Sequence, residues 1–112
     1  MFYCSNEDGF ISPFDGIQRK TLVYGQRTLM TEFRFDKGAR LPHHSHPNEQ
    51  TGYLVSGRIR LTVGDEIYTV NSGDAWCIPE NVTHGAYIEE NAIAIEVFSP
   101  LRKDYVPSSP EE

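Results

Sequence analysis

The chain has 112 residues, a formal net charge of −6 and 38% apolar residues, a size that holds one domain with one core. Its ten basic residues are scattered, so it has no cationic stripe for nucleic acid. No apolar run approaches the about eighteen residues of a membrane span, and Met1-Phe-Tyr-Cys-Ser-Asn-Glu-Asp8 lacks a signal-peptide build, which predicts a soluble, cytoplasmic protein with Cys4 and Cys77 as reduced thiols.

Taken in order, the chain reads as short strands separated by turns, with no convincing helix. Phe2, Tyr3, Phe10, Ile11 and Phe14 make the opening segment apolar. A strand is expected near 21–24. From Leu29 to Asp36, Leu29, Thr31, Phe33 and Phe35 alternate with Met30, Glu32, Arg34 and Asp36, the pattern of a half-buried strand. Residues 53–70 read as consecutive antiparallel strands, with Ser56-Gly57 and Gly64-Asp65 supplying turn positions. Further strands are expected near 75–79, 84–89 and 92–98, with Asn71–Asp74 and Glu89–Asn91 as turns. Many short strands with regular turn signals predict an all-β barrel or sandwich. One domain over 1–106 and a loose tail over 107–112 follow from the shift in composition after Pro100.

The stretch Gly38-Ala-Arg-Leu-Pro-His-His-Ser-His-Pro-Asn-Glu-Gln50 carries the strongest chemical signal. His44 and His46 are two residues apart, so on a strand both imidazoles leave the same face. A third imidazole, His84, arrives from a distant strand, and three such groups suit a divalent transition metal at about 2.0–2.2 Å per ligand. The competing reading of any single histidine here is a polar surface loop. His43, by parity, belongs to the opposite face.

The spacing Gly38, His44, His46, Gln50, Gly57 resembles the first motif of the cupins, and Gly73, Pro79, Asn81, His84 resembles the second. The chain departs at three places: Gln50 stands where that family most often has Glu, Asn81 replaces a glycine, and Ile88 replaces an Asn. Asn tolerates a left-handed turn, so the second is mild. The resemblance implies a jelly-roll barrel (a double-stranded β-helix) with one divalent transition metal inside, held by His44, His46, Gln50 and His84. Gln50 is preferred to Glu49 because it keeps the six-residue step to Gly57. A neutral ligand set leaves the ion its full charge, which favours Lewis-acid chemistry over oxygen activation. Ni, Zn, Mn, Fe and Cu all remain open.

Over Ala92–Phe98, alternation puts Ile93, Ile95 and Val97 on one face and Ala94, Glu96 and Phe98 on the other. Alternation alone does not say which face is inside. The ending Glu96-Val-Phe-Ser-Pro-Leu-Arg-Lys-Asp-Tyr105, with the histidine stretch, resembles the pectin-degradation cupins that linearise unsaturated uronates. That likeness implies a metal held by three His and a Gln, with Glu96, Phe98 and Arg102 lining the pocket. Glu96 would move protons, Phe98 would pack on the sugar ring, and Arg102 would hold the carboxylate; the bland reading of Arg102 is a solvated cation beside Lys103. The family's acid is usually Asp, so Glu96 reaches one methylene further. The expected function is thus a metal-dependent enzyme acting on small sugar acids, with no nucleic-acid or membrane partner. The rival readings are a non-catalytic binding module and a metal-dependent dioxygenase or decarboxylase. Both faces of the 92–98 strand look apolar, which predicts that one is covered from outside the barrel, by a homodimer whose sheets pack or exchange an N-terminal strand, with the apolar N-terminal segment contributing to the cover.

Overall fold

The computed structural model describes residues 1–107 of the chain. Eight strands carry the architecture: β1 (Ile11–Phe14), β2 (Ile17–Tyr24), β3 (Leu29–Phe35), β4 (Arg40–His44), β5 (Glu49–Val63), β6 (Glu66–Asn71), β7 (Ala75–Ile78) and β8 (His84–Ser99). The pairings between them are antiparallel. A single 3-10 turn, Lys103–Tyr105, follows β8.

Strands as long as β5 and β8 do not stay flat, and each runs through two sheets. The first half of β5 pairs with the second half of β8; β7 lies beyond β5, and β3, β2 and β1 lie beyond β8. The second half of β5 pairs with the first half of β8, flanked by β6 and β4. The two sheets enclose one interior, a jelly-roll barrel.

The corner between the sheets corrects two sequence expectations. Ser56-Gly57 and Glu89–Asn91 are not turns but the places where β5 and β8 bend, with the β5–β8 register slipping between Leu54 and Ile59. Gly57 has φ +91°, and a Cβ there would sit 2.2 Å from the Asn91 carbonyl oxygen. Local composition looks the same in a turn and in a bulge; only the approach of the Asn91 backbone distinguishes them. Gly64-Asp65 is a true two-residue hairpin between Val63 and Glu66. β2 begins at Ile17 rather than near residue 21, β1 is the strand of the apolar N-terminal segment, and β4 carries His44 but stops there.

Register builds the interior of the first sheet in rows, about 6.6–6.8 Å apart along the strands. One row is Phe33, Ala94 and Leu54; the next is Thr31, Glu96, Gly52 and Trp76; the third is Leu29, Phe98, Gln50 and Ile78. The first row joins Ile17, Phe35, Ile59, Leu61, Val70, Ile78, Ile88 and Ala92 in the apolar core. Burial of each large side chain there contributes roughly 1.5–3 kcal/mol.

The N-terminal segment lies against its own chain. Lys20 Nζ donates to Tyr3 Oη (2.6 Å) and Asn6 Oδ1 (2.8 Å), and Arg34 pairs with Glu7 (2.8 Å) and stacks on Phe10 (4.2 Å). Phe2 stays 90% exposed. Among the described residues no helix is long and apolar enough to cross a membrane, and Cys4 and Cys77 are exposed and unpaired. Of the expected tail, residues 108–112 lie outside the described residues.

Candidate metal centre and active site

His44 and His46 do not share a strand, contrary to the parity argument. His44 ends β4, and His46 lies in the loop that leads to β5. Pro47 follows His46 and has no N–H to extend a ladder. His84 opens β8 in register with His44. The three rings nonetheless meet, with centroids 4.3 Å (His44–His84), 4.9 Å (His46–His84) and 5.7 Å (His44–His46) apart. One nitrogen from each lies within 4.8 Å of the others.

All three imidazoles are held in one tautomer by the same device. Nδ1 of His44, His46 and His84 sits 2.9–3.0 Å from the carbonyl oxygens of Pro42, Asn48 and Val82. A carbonyl only accepts, so the proton is on Nδ1 and the Nε2 lone pair is free. Such carbonyl partners are the usual support for a metal-binding histidine. His84 Nε2 is buried without any partner. Burial lowers the His84 pKa to about 4 and also lowers that of His46, which keeps both rings neutral and available as ligands.

Gln50 lies inside at 4% exposure while Glu49 faces solvent. Its Oε1 is 3.0 Å from His46 Nε2, so two acceptors confront each other, a contact that a shared cation makes favourable. The donor set fits a divalent transition metal: three imidazole lone pairs and one amide oxygen, two of these atoms otherwise uncompensated. The loop that carries His46 is pinned from both sides. Asn81 N donates to His46 O (2.8 Å) from a left-handed conformation at φ 64°, and Asn48 Nδ2 donates to Pro100 O (2.6 Å).

Glu96 lies on the buried face of β8, and Ile93, Ile95 and Val97 lie on the outer one. Burial pushes its carboxyl up to about 7, against Gln50, Trp76 and Arg102, which favour the anion. Phe98, beside it, meets His46 edge-on at 5.7 Å and Tyr105 at 5.3 Å. Arg102 is not the solvated residue of the bland reading: its side chain is 16% exposed and its guanidinium lies 4.1 Å from the Tyr105 ring centre. That guanidinium is already engaged, with Nη2 and Nε donating to Asp104 at 2.7 and 3.3 Å. His43 stays outside the cluster, with its ring against Gly85.

Sequence reasoning missed several residues of this pocket. Trp76 packs inward on β7 while its neighbour Cys77 faces out. Thr31, Asn48, Asp104 and Tyr105 also border the site. For Trp76 a signal existed in principle, because the residue opposite it on β5 is Gly52, whose missing side chain makes room for an indole.

Comparison with known proteins agrees with this architecture. The cupin domain model matches residues 31–99. The pectin degradation protein KdgF of Dickeya dadantii (strain 3937) is 32% identical over 94 residues, spanning 82% of this chain and 86% of that protein. The structure of KdgF from Halomonas sp. superimposes with a TM-score of 0.89 at 30% identity, over 95% of this chain and 100% of that one. An RmlC-like cupin from Shewanella frigidimarina NCIMB 400 gives 0.88 at 30% identity, over 94% and 95%. The chain belongs to the cupin domain family, and within it resembles the pectin degradation protein KdgF.

Proposed function

We propose that this protein is a metal-dependent enzyme that linearises 4,5-unsaturated uronates, small sugar acids released by polysaccharide lyases. The observation that carries the reading is one largely buried cluster of three tautomer-fixed imidazoles, an amide oxygen and, one row away, a carboxyl. The likeness of most of the chain to a pectin degradation protein supports the choice of substrate class. His44, His46, His84 and Gln50 would hold one divalent metal ion, which when bound supplies a Lewis acid for sugar oxygens.

The substrate is a cyclic hemiacetal whose ring oxygen is part of an enol ether. Opening takes the proton from the C1 hydroxyl and breaks the bond between C1 and the ring oxygen. This leaves an aldehyde at C1 and an enol at C5; a proton then enters at C4 and the enol proton leaves, giving the ketone. Atoms and electrons balance without oxidant or reductant. Glu96 serves both proton moves, since a carboxyl held near 7 is populated in both forms at neutral pH. Arg102 takes the substrate carboxylate in exchange for Asp104, its planar fork suiting either partner. Phe98 supplies the apolar wall for the ring.

The test is to add purified protein, supplied with Ni, Zn or Mn, to unsaturated uronate and follow loss of its ultraviolet absorbance. Acceleration over the uncatalysed rate, unchanged without oxygen, is expected. No acceleration overturns the assignment, and uptake without turnover leaves the carrier reading in its place.

A cytoplasmic setting and a homodimer belong to the same proposal. Exposed, unpaired Cys4 and Cys77 suit a reducing compartment. Exposed Met30, Tyr53 and Val55 flank half-buried Ile95 and Val97 on the outer face of the first sheet, a strip that a two-fold copy can cover. A monomer by light scattering at micromolar concentration removes the dimer.

A further inference from the structure

Thr31, Glu96, Gly52 and Trp76 form one row across four strands, and Gly52 contributes no side chain to it. A Cβ at Gly52 would lie 2.2 Å from Cε2 and 2.4 Å from Nε1 of Trp76. The Nε1 edge of the indole therefore rests on the bare backbone of β5, between its own strand β7 and β8. The next side chain along the row is Glu96. Trp76 Nε1 is buried and has no hydrogen-bond partner, although an indole N–H can only donate. Trp76 is also among the groups that favour the Glu96 anion, in keeping with an N–H directed at that carboxyl.

We infer that Trp76 is a positioning residue: its indole N–H, admitted over Gly52, holds the Glu96 carboxyl in one orientation beside the imidazole cluster. The inference rests on the reading of Glu96 as the proton-moving group. Glutamate has three rotatable bonds, and a displacement of a reacting group by about 1 Å can lower a rate on the order of 10²-fold. A buried carboxyl needs fixed donors to stay in register with a substrate held at the histidines, and the indole N–H joins the Gln50 amide in that role. Gly52 and Trp76 then form one device, the absent side chain of the first being the space for the second.

Trp76 is the chain's one tryptophan, so its indole gives a single ¹H–¹⁵N cross-peak. Glu96→Gln is expected to displace that peak clearly, and Gly52→Ala to displace it further by pushing the ring off the strand. Trp76→Phe should lower kcat for unsaturated uronate about 10- to 100-fold while KM stays within about twofold and bound metal is unchanged. An indole cross-peak that ignores Glu96→Gln overturns the inference, as does full kcat in Trp76→Phe. If the wild-type protein turns over no uronate, the functional reading fails, and the cross-peak still decides whether the indole holds the carboxyl.

Discussion

The two ends of the barrel interior are equally buried and chemically opposite. At the closed end, Phe33, Phe35, Leu54, Ile59, Ile88 and Ala94 pack with no polar side chain among them. At the other end stand Gln50, His84, Thr31 and Glu96 on the same strands, with His46 on the loop before β5, all buried too. Two polar atoms of that end, Thr31 Oγ1 and His84 Nε2, are buried without a hydrogen-bond partner. A buried unsatisfied polar group costs about 1–3 kcal/mol, so the second end is kept at the expense of stability. Depth alone separates nothing in this protein; the residue type at each inward position separates scaffold from site.

Four measurements break or sharpen that contrast. Glu96→Gln should lower uronate turnover by about 10²–10⁴-fold with the melting temperature nearly unchanged, as read by paired kinetics and thermal unfolding. Leu54→Ala, two residues from Gly52 at the closed end, should show the reverse: a loss of about 2–5 kcal/mol in denaturant unfolding while metal binding by folded protein is retained. Stripping metal with a chelator should lower the melting temperature on the order of 10 °C if the ion is present at a hundredfold its Kd, and readdition should restore it. Thr31→Val, which keeps the shape and removes an orphaned hydroxyl, should leave stability unchanged or raise it by about 1 kcal/mol. A large loss of stability from Thr31→Val would mean that the hydroxyl is satisfied and the contrast drawn too sharply.

Alternation was enough to read most strands, because a half-buried strand writes its burial directly into every second residue. Leu29 to Phe35 is the clearest instance, with Leu29, Thr31, Phe33 and Phe35 all facing in. What alternation does not encode is where a strand changes sheets. Ser56-Gly57 carries the same glycine signal as a hairpin, and its true role depends on Asn91, more than thirty residues away. The same limit explains His46, which reaches the cluster from a loop rather than from the strand of His44, and Trp76, whose inward face is set by pairing of β7 with β5. Arg102 illustrates a different gap: its partner Asp104 is two residues away, yet only the 3-10 turn folds the carboxylate back onto the guanidinium.

The bend at Gly57 has a mechanical consequence. Gln50 stands on the arm of β5 that belongs to one sheet, and His84 on the arm of β8 that belongs to the other. The span between those two groups is therefore governed by the dihedral angle between the sheets, and that angle is fixed at the hinge where Gly57 touches Asn91 and Ala92. A side chain inserted there would act as a wedge, detuning the coordination sphere from the far end of the lever without touching any residue in it.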